Sequence, residues 1–276
     1  MIGQRNLQSR LGSLVRLKKL PRFIILVGEV GSGRRTITKW VASELGAKFV
    51  EVDRGVDAVR AMVAESYKAG EAVLYYIPDG DLLSGASRSA LLKVTEEPPR
   101  NAYFVLSTTD RERVLPTLTS RANVYSMDSY SIGDLAEFLN DPTADIQLYA
   151  NCCNNGREVS LVKQWGQDFF DFVTLVVDNV ADVSGSNALK MENRFAFTDE
   201  AEGFDVKIFL QAFRAECMRR IMKNEGREVR DKYVAWIQIT SDKLQEIQIK
   251  SINKQAVFDM WIFEIREVVR NAEGAN

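Results

Sequence analysis

The residues best suited to chemistry lie in a glycine-rich loop near the N-terminus. The loop follows an apolar run that ends at Val27, and it comes before a segment with helical periodicity. A strand, a glycine loop and a helix in this order make a phosphate cradle, because backbone N–H groups and the helix N-terminus together attract an anion. The residues of this predicted cradle are Gly28, Gly31, Gly33, Arg34, Arg35 and Thr36.

The cradle lacks two side chains that ATP hydrolysis requires. Phosphate-loop enzymes place a lysine and then a serine or threonine after the last glycine, for the β- and γ-phosphates and for Mg²⁺. Arg34 and Arg35 hold these positions. Arginine is bulkier than lysine and forks its donors, and Thr36 takes the hydroxyl role only if the helix starts one residue late. Three interpretations stay open: a tight turn without nucleotide, ATP or ADP bound without hydrolysis, and weak hydrolysis.

A second motif of the same chemistry is also altered. The predicted strand Val73–Ile77 should end in Asp-Glu, one carboxylate in the Mg²⁺ shell and the next activating water. Pro78 and Asp79 follow it instead, so the first position offers no ligand and the second is one methylene shorter than glutamate. Together with the altered loop, this leaves little to stabilise a transferred phosphoryl group. The sequence predicts no metal site and no intrinsic ATP hydrolysis.

Composition excludes several other chemistries. The chain has no histidine, which removes Ser-His and Cys-His triads and most catalytic zinc sites. Two of its three cysteines are adjacent, a spacing that rarely suits a structural disulfide, so we expect a reducing, cytoplasmic compartment. We find neither a signal peptide nor a membrane-spanning segment, and we expect a protein without a membrane partner.

Net charge singles out no partner. With a formal charge of −2, contact with DNA requires a local basic patch, because the field of the whole molecule does not attract it. One basic segment near the N-terminus is a candidate for the DNA backbone, although charge runs are usually solvated faces. Its residues are Arg10, Arg16, Lys18, Lys19 and Arg22.

The elements that position these motifs alternate between short apolar runs and helical patterns, which is typical of a parallel α/β sheet. Predicted strands are Phe23–Val27, Phe49–Val52, Val73–Ile77, Tyr103–Ser107 and Asn123–Ser126. One predicted helix between them begins after Gly33, and two more span Val59–Tyr67 and Ser87–Glu97.

Beyond Met127 the pattern becomes helical. Predicted helices span Ile132–Leu139, Asp145–Cys152, Glu158–Val180, Asp205–Lys223, Arg230–Lys250 and Lys254–Asn271, with a polar linker at Asp182–Asn187. On spacing alone, the last three form a self-contained three-helix bundle. We therefore predict an α/β domain over 1–127, a small helical domain over 128–185 and a helical domain over 186–276.

Three segments in the first domain resemble the clamp-loader AAA+ family in order and spacing. They are Ala90-Leu-Leu-Lys-Val-Thr-Glu-Glu-Pro-Pro99, Tyr103-Phe-Val-Leu-Ser-Thr-Thr-Asp110 and Leu115-Pro-Thr-Leu-Thr-Ser-Arg121. The resemblance implies an AAA+ parallel-sheet domain followed by a small helical lid domain and an all-α collar domain. A degraded phosphate loop beside an intact Ser-Arg pair is most like the delta-prime type of subunit.

The resemblance also implies roles for single residues. Arg121 corresponds to an arginine finger that acts in trans, Thr108 to sensor 1 and Arg157 to the sensor 2 region, while Ile2–Gln4 is similar to the adenine-side box. Structural alternatives stay open: Arg121 can cap the preceding turn, Thr108 can simply end a strand, and Arg157 can be solvated.

By this resemblance we expect a non-hydrolysing subunit of a hetero-oligomeric ring of AAA+ clamp-loader subunits, whose other partners are a sliding clamp and primer-template DNA. A weakly active ATPase and a nucleotide-independent DNA-binding adaptor are the alternatives. No cofactor is certain, and ATP or ADP can bind without hydrolysis. The sequence does not identify the neighbouring subunits.

Overall fold

The computed structural model describes residues 1–180, 191, 193–197, 202–223, 226–247 and 252–273. The chain divides into two compact units, Met1–Glu137 and Phe138–Asn276. Each unit is described by itself below. Within the described residues, no helix is long and apolar enough to span a lipid bilayer.

The first unit alternates helices and strands as predicted. Its elements are α1 Arg5–Arg16, β1 Phe23–Val27, α2 Arg34–Leu45, β2 Lys48–Glu51, α3 Val56–Ser66, β3 Val73–Ile77, the 3₁₀ turn Gly80–Leu82, α4 Gly85–Glu96, β4 Ala102–Thr108, α5 Pro116–Thr119, β5 Asn123–Ser126 and most of α6 Ile132–Leu139, which ends in the second unit. The predicted strands and helices are confirmed to within a few residues at their ends, whereas α1 and the one-turn α5 were not predicted.

The strands form one parallel sheet in the order β2-β3-β4-β1-β5. At its centre, Ile25 of β1 lies opposite Leu106 of β4 on one side and Val124 of β5 on the other. Because all five strands are parallel, their carboxyl ends lie along one edge, and the loops that follow them meet there. This edge gathers the glycine loop, Asp79 and Thr108.

Both faces of the sheet are covered. Alternate strand residues such as Ile25 and Leu106 pack with apolar residues of α3 and α4 on one face. The intervening residues, such as Ile24 and Val105, pack with α1 and α2 on the other face. Burial on both sides explains why these strands read as continuous apolar runs.

The second unit is mainly helical. Its elements are α7 Ile146–Cys152, α8 Gly156–Trp165, α9 Gln167–Asn179, β6 Phe195–Ala196, β7 Phe204–Asp205, α10 Val206–Met222, α11 Arg227–Glu246 and α12 Lys254–Glu273. The predicted single helix Glu158–Val180 is wrong, because Gly166 adopts φ 63° and ψ −148° and separates α8 from α9. Only glycine adopts such a conformation readily, so the apolar periodicity concealed a real break.

The last three helices enclose an aromatic core. Trp236 Nε1 donates to the carbonyl oxygen of Ile265 at 3.1 Å, and Trp261 Nε1 donates to Thr240 Oγ1 at 3.0 Å. The expectation of a self-contained bundle needs correction, because α10 packs against α7 and α9 as well as against α11. Met218 and Val234, which share the helical spacing of the core residues, are about half exposed.

The sequence analysis missed one feature of this region, and two of its predictions lie outside the residues that the structure describes. The short strands β6 and β7 pair in parallel, which helical periodicity did not predict. The predicted linker Asp182–Asn187 lies outside the described residues, as does the boundary between 185 and 186. The division into three domains at 127 and 185 therefore stays a prediction.

Candidate functional site

The carboxyl edge of the sheet brings the altered motifs together. The glycine loop follows β1, Asp79 follows β3, and Thr108 ends β4. The amide of Gly28 donates to the carbonyl oxygen of Thr108 at 3.0 Å, which joins the start of the loop to the end of β4. Three predicted site regions are therefore adjacent, although they are far apart in sequence.

The loop requires its glycines. Gly31 and Gly33 have φ values of 88° and 89°, in the left-handed region that favours glycine. A Cβ on Gly28 would lie 2.7 Å from the Cβ of Met127. The glycine spacing therefore reflects a tight turn against β5 as well as a possible anion cradle.

Arg34, in the usual lysine position, turns toward the altered acidic motif. Its side chain is only 10% exposed, and its Nη2 lies 4.0 Å from Asp79 Oδ1. Arg54 approaches the other oxygen of the same carboxylate, with Nη1 3.6 Å from Asp79 Oδ2. Asp79 itself adopts the left-handed conformation, with φ 49° and ψ 56°. A carboxylate between two guanidinium groups thus occupies the position that the acidic motif would hold.

Arg35 and Thr36 lie on the outer part of α2. Arg35 Nε donates to Glu51 Oε2 at 2.7 Å, and this hydrogen bond raises the pKa of Arg35 above its ordinary value. Its guanidinium carbon lies 6.0 Å from the ring centroid of Phe49. The side chain of Arg35 is therefore bound to β2, and Thr36 is exposed.

These residues do not fit magnesium-bound ATP. The side chain in the position of the metal-binding hydroxyl is bound to Glu51, proline holds the place of the metal carboxylate, and Asp79 is held by two arginines. Arg34 Nη1 is buried and has no hydrogen-bond partner in the described part of the chain. This donor set suits an anion and not a divalent cation.

Residues near the N-terminus and after β5 contact the glycine loop at Ser32. We call this group of residues the loop clasp: Gly3, Gln4, Ser32, Asp128 and Tyr130. Tyr130 Oη donates to the carbonyl oxygen of Ser32 at 3.0 Å. The buried amide of Gln4 donates to the carbonyl oxygen of Asp128 at 2.6 Å and accepts from its N–H at 2.8 Å. Gln4 Nε2 also lies 3.4 Å from the Ser32 carbonyl oxygen.

The clasp is closely packed. A Cβ on Gly3 would lie 2.4 Å from Cε1 of Tyr130, and one on Gly33 would lie 2.8 Å from the Tyr130 hydroxyl oxygen. Burial raises the pKa of Tyr130, which disfavours the phenolate, a form that could not donate this hydrogen bond. The predicted adenine-side box thus contacts the loop through Gln4. No local pattern marked Tyr130, whose role depends on contacts with residues distant in sequence.

Thr108, the expected sensor 1 residue, is fully buried. Its single hydroxyl proton has two acceptors within reach, Asp81 Oδ1 at 3.1 Å and the carbonyl oxygen of Asp110 at 2.8 Å, and its oxygen accepts from the Asp110 N–H at 3.1 Å. Asp81 was not a candidate from the sequence. The hydroxyl of Thr108 is therefore engaged in shaping the turn after β4.

Arg121 lies on a turn at the end of α5, away from the loop in sequence. Leu118, which is buried, anchors this turn in the same apolar core as Val94 of α4. Arg121 Nη1 donates to the carbonyl oxygen of Thr117 at 2.7 Å, and Nη2 forms an ion pair with Glu96 Oε1. The side chain of Arg121 is 32% exposed.

Arg157 lies in the second unit, exposed at the second residue of α8. Its neighbours have structural roles. Asn155 Oδ1 accepts from the N–H of Glu158 at 3.1 Å, and Glu158 Oε2 accepts from the N–H of Asn154 at 2.6 Å, which caps the helix start. A Cβ on Gly156 would lie 2.5 Å from the Phe138 ring. Helix capping and packing account for much of the sensor 2-like pattern.

The described residues offer no clear site for a metal ion or for a reactive thiol. Among the described residues, no group of three or more His, Cys, Asp or Glu side chains could hold a metal ion. Cys152, Cys153 and Cys217 are buried free thiols. A hydrogen bond between the thiols of Cys152 and Cys153, together with burial, raises the pKa of Cys153, and burial raises that of Cys217, which disfavours the reactive thiolate.

Comparison with solved structures defines the class of fold. The chain is similar to a DNA polymerase III gamma subunit-related protein from Thermotoga maritima, with a TM-score of 0.56 and 16% identity over 93% of this chain and 98% of that one. It is also similar to the RuvB Holliday junction branch migration motor of Thermotoga maritima, with a TM-score of 0.54 and 19% identity over 76% and 75% of the two chains. The fold is that of AAA+ proteins, a parallel-sheet domain followed by a helical region.

Sequence comparison narrows this class. The family model described as DNA polymerase III, delta subunit, matches residues 47–131. The delta' subunit of DNA polymerase III from Escherichia coli is 42% identical over 74 residues, 26% of this chain and 22% of that protein. The gamma subunit from Buchnera aphidicola (subsp. Schizaphis graminum) is 26% identical over 170 residues, 50% of this chain and 47% of that protein.

These comparisons confirm the resemblance to clamp-loader AAA+ proteins of the delta-prime type. The matched region spans about half of the gamma subunit and less than a quarter of the delta' subunit.

Proposed function

We propose that the chain is a clamp-loader subunit that does not hydrolyse ATP itself. It assembles with AAA+ ATPase partners in a hetero-oligomeric ring, which loads a sliding clamp onto primer-template DNA during replication. Its own contribution to ATP chemistry is Arg121, which acts on nucleotide bound to a neighbouring subunit. The similarity to delta' and gamma subunits supports the role in clamp loading.

The observation that carries the loss of hydrolysis is the contact of Arg34 with Asp79. In a phosphate-loop enzyme the basic residue contacts the phosphates, and the acidic motif contacts the metal and the attacking water. Here the residues in those two positions face each other, and Arg54 adds a second cation to the same carboxylate. Arg34 and Asp79 are thus each paired with an opposite charge of the same chain.

The loop clasp supports the same conclusion independently. Tyr130 and Gln4 both contact the carbonyl oxygen of Ser32, within the loop that would have to accommodate phosphates. A loop fixed by its own chain has little freedom to adjust around a ligand. We propose that the loop serves as a structural joint, and that any ATP or ADP it binds is not hydrolysed.

Arg121 differs from Arg34 because it lies nearer the surface. It is partly exposed on a turn that carries the Ser-Arg pair at the family's spacing. A planar guanidinium that is always charged suits the negative charge that develops on a transferring phosphoryl group. A residue that can assist another active site has therefore been kept, whereas those for its own site have been replaced.

The experiment that tests this proposal combines the purified chain with an intact AAA+ ATPase subunit from the same genome, the sliding clamp and primed DNA. We expect no ATP turnover above buffer for the chain alone, with or without DNA. We expect clamp loading only when the chain is added to the ATPase subunit. A DNA-stimulated turnover of about 1 per second in the isolated chain, lost in Arg34→Ala, would refute the proposal.

A further inference from the structure

The ion pair between Arg121 and Glu96 has no role in the function proposed so far. Glu96 is the last residue of α4, and 25 positions separate it from Arg121. The pair lies where α4 and α5 pack together, and the side chain of Glu96 is 55% exposed. The partners therefore meet because of tertiary packing, at a surface that other molecules can reach.

Both terminal nitrogens of Arg121 are bound to acceptors of the same chain. Nη1 donates to the carbonyl oxygen of Thr117, and Nη2 pairs with Glu96. An arginine binds a phosphoryl group best when its planar fork presents two donors to two oxygens. In this conformation the fork is directed at acceptors of its own chain, so Arg121 has to release Glu96 before it can bind a phosphoryl group in that way.

We infer that Glu96 regulates the arginine finger by holding Arg121 in a parked conformation until the phosphates of a neighbouring nucleotide replace the carboxylate. This inference rests on the proposed trans role of Arg121. Exposed ion pairs contribute little stability, so the exchange costs little. A nucleotide's terminal phosphate carries more negative charge than one carboxylate, so it competes effectively. The free subunit thereby keeps its finger folded back, and assembly with a loaded neighbour releases it.

Glu97 provides a matched control. It follows Glu96 directly, carries the same charge and is exposed beyond the end of α4. Replacing either residue by glutamine removes one negative charge from the same surface. Only Glu96→Gln removes the carboxylate that pairs with Arg121, so a difference between the variants isolates the ion pair from the general electrostatic field.

The first experiment tests the contact in the isolated chain by a double-mutant cycle on the unfolding midpoint, using Glu96→Gln, Arg121→Ala and their combination. We expect the two substitutions to be non-additive, whereas Glu97→Gln and Arg121→Ala should be additive. Additivity of Glu96→Gln with Arg121→Ala would overturn the inference, whatever the activity of the complex.

The second experiment measures the ATPase rate of the reconstituted complex at subsaturating ATP with primed DNA. We expect Glu96→Gln to raise the rate about two- to fivefold, the range set by exposed ion pairs. The increase should vanish in the Arg121→Ala background and be absent in Glu97→Gln. An unchanged or lower rate, an increase that persists without Arg121, or an equal increase in Glu97→Gln would overturn the inference.

The two proposals fail in distinguishable ways. If Arg121→Ala lowers the ATPase rate of the complex and Glu96→Gln leaves it unchanged, only the parked conformation is wrong. If Arg121→Ala leaves the rate unchanged, the trans role is wrong, and the regulatory inference falls with it.

Discussion

The phosphate-loop region and the Arg121 turn belong to the same unit and differ in how their charged groups are satisfied. At the loop, Arg34 is almost fully buried, faces Asp79, and lies beside a backbone that Tyr130 and Gln4 hold in place. At the turn, Arg121 is partly exposed and held by one carbonyl oxygen and one exposed carboxylate. Rearranging a buried charged group costs much free energy, whereas breaking an exposed ion pair costs little. The first region therefore suits a structural joint, and the second suits a group that must move.

The largest effect that this comparison predicts is that of Arg121→Ala on the assembled complex. Arginine fingers contribute about 10³–10⁵-fold to the rate at the site that they serve, although a ring with several sites dilutes the loss. We expect the DNA-stimulated ATPase rate to fall about tenfold or more, with folding and incorporation of the subunit unchanged. Steady-state ATPase assays at saturating ATP, with size-exclusion chromatography for incorporation, measure both quantities.

The control for this experiment is Arg113→Ala, which removes an exposed arginine from the same segment. Equal rates for Arg121→Ala and wild-type complexes would leave Arg121 with only a structural role. A comparable fall in Arg113→Ala would assign the effect to the basic character of the surface.

The next largest effect should come from Gly3→Val, which tests whether the loop clasp is tightly packed. Its Cβ would lie within 2.4 Å of the Tyr130 ring at a φ of 68°, so overpacking and backbone strain act together. We expect a loss of about 2–4 kcal/mol in the free energy of unfolding. Chemical denaturation followed by circular dichroism measures this value.

Gly46→Ala separates strain from packing, because Gly46 has a similar φ of 63° and a Cβ added there would meet no neighbour within 4 Å. We expect this variant to lose about 1 kcal/mol, from backbone strain alone. If the two variants were equally stable, the close contact between Gly3 and Tyr130 would not exist in solution.

A smaller effect is expected for Tyr130→Phe, which removes the hydroxyl that donates to Ser32 and keeps the ring. We expect a loss of about 1 kcal/mol, the usual contribution of one hydrogen bond. Tyr67→Phe, at an exposed tyrosine, is the control and should change stability very little. A Tyr130→Phe protein as stable as the wild type would contradict the hydrogen bond to the loop.

The smallest effect concerns pH. Burial raises the pKa of Tyr130 in the folded chain above its ordinary value of about 10. The resulting stability is fully present below about pH 10 and is lost as pH rises through the folded pKa, because the unfolded chain ionises first. The stability difference between wild type and Tyr130→Phe should therefore shrink above about pH 10. A difference that stays constant in denaturation series from pH 8 to roughly 11 would contradict the burial of this hydroxyl.

Sequence alone determined the frame of the first unit. The strands are buried on both faces and therefore appear as short apolar runs, and glycine positions mark the turn between β1 and α2. The same local signals failed at Gly166, where apolar spacing continued across a helix break, and in the short strands β6 and β7. Periodicity reports which face of a segment is buried, and it does not report backbone conformation at a single residue.

Tertiary structure alone decided how the candidate site is arranged. The substitutions at Arg34, Arg35 and Pro78 are legible in the sequence, but the contact of Arg34 with Asp79 and that of Arg35 with Glu51 depend on which strands are neighbours. Likewise, Tyr130 meets Ser32 across 98 positions, and Glu96 meets Arg121 across 25. Local propensity and motif spacing act over a few residues, whereas these partners are brought together by strand order and by the packing of helices on the sheet.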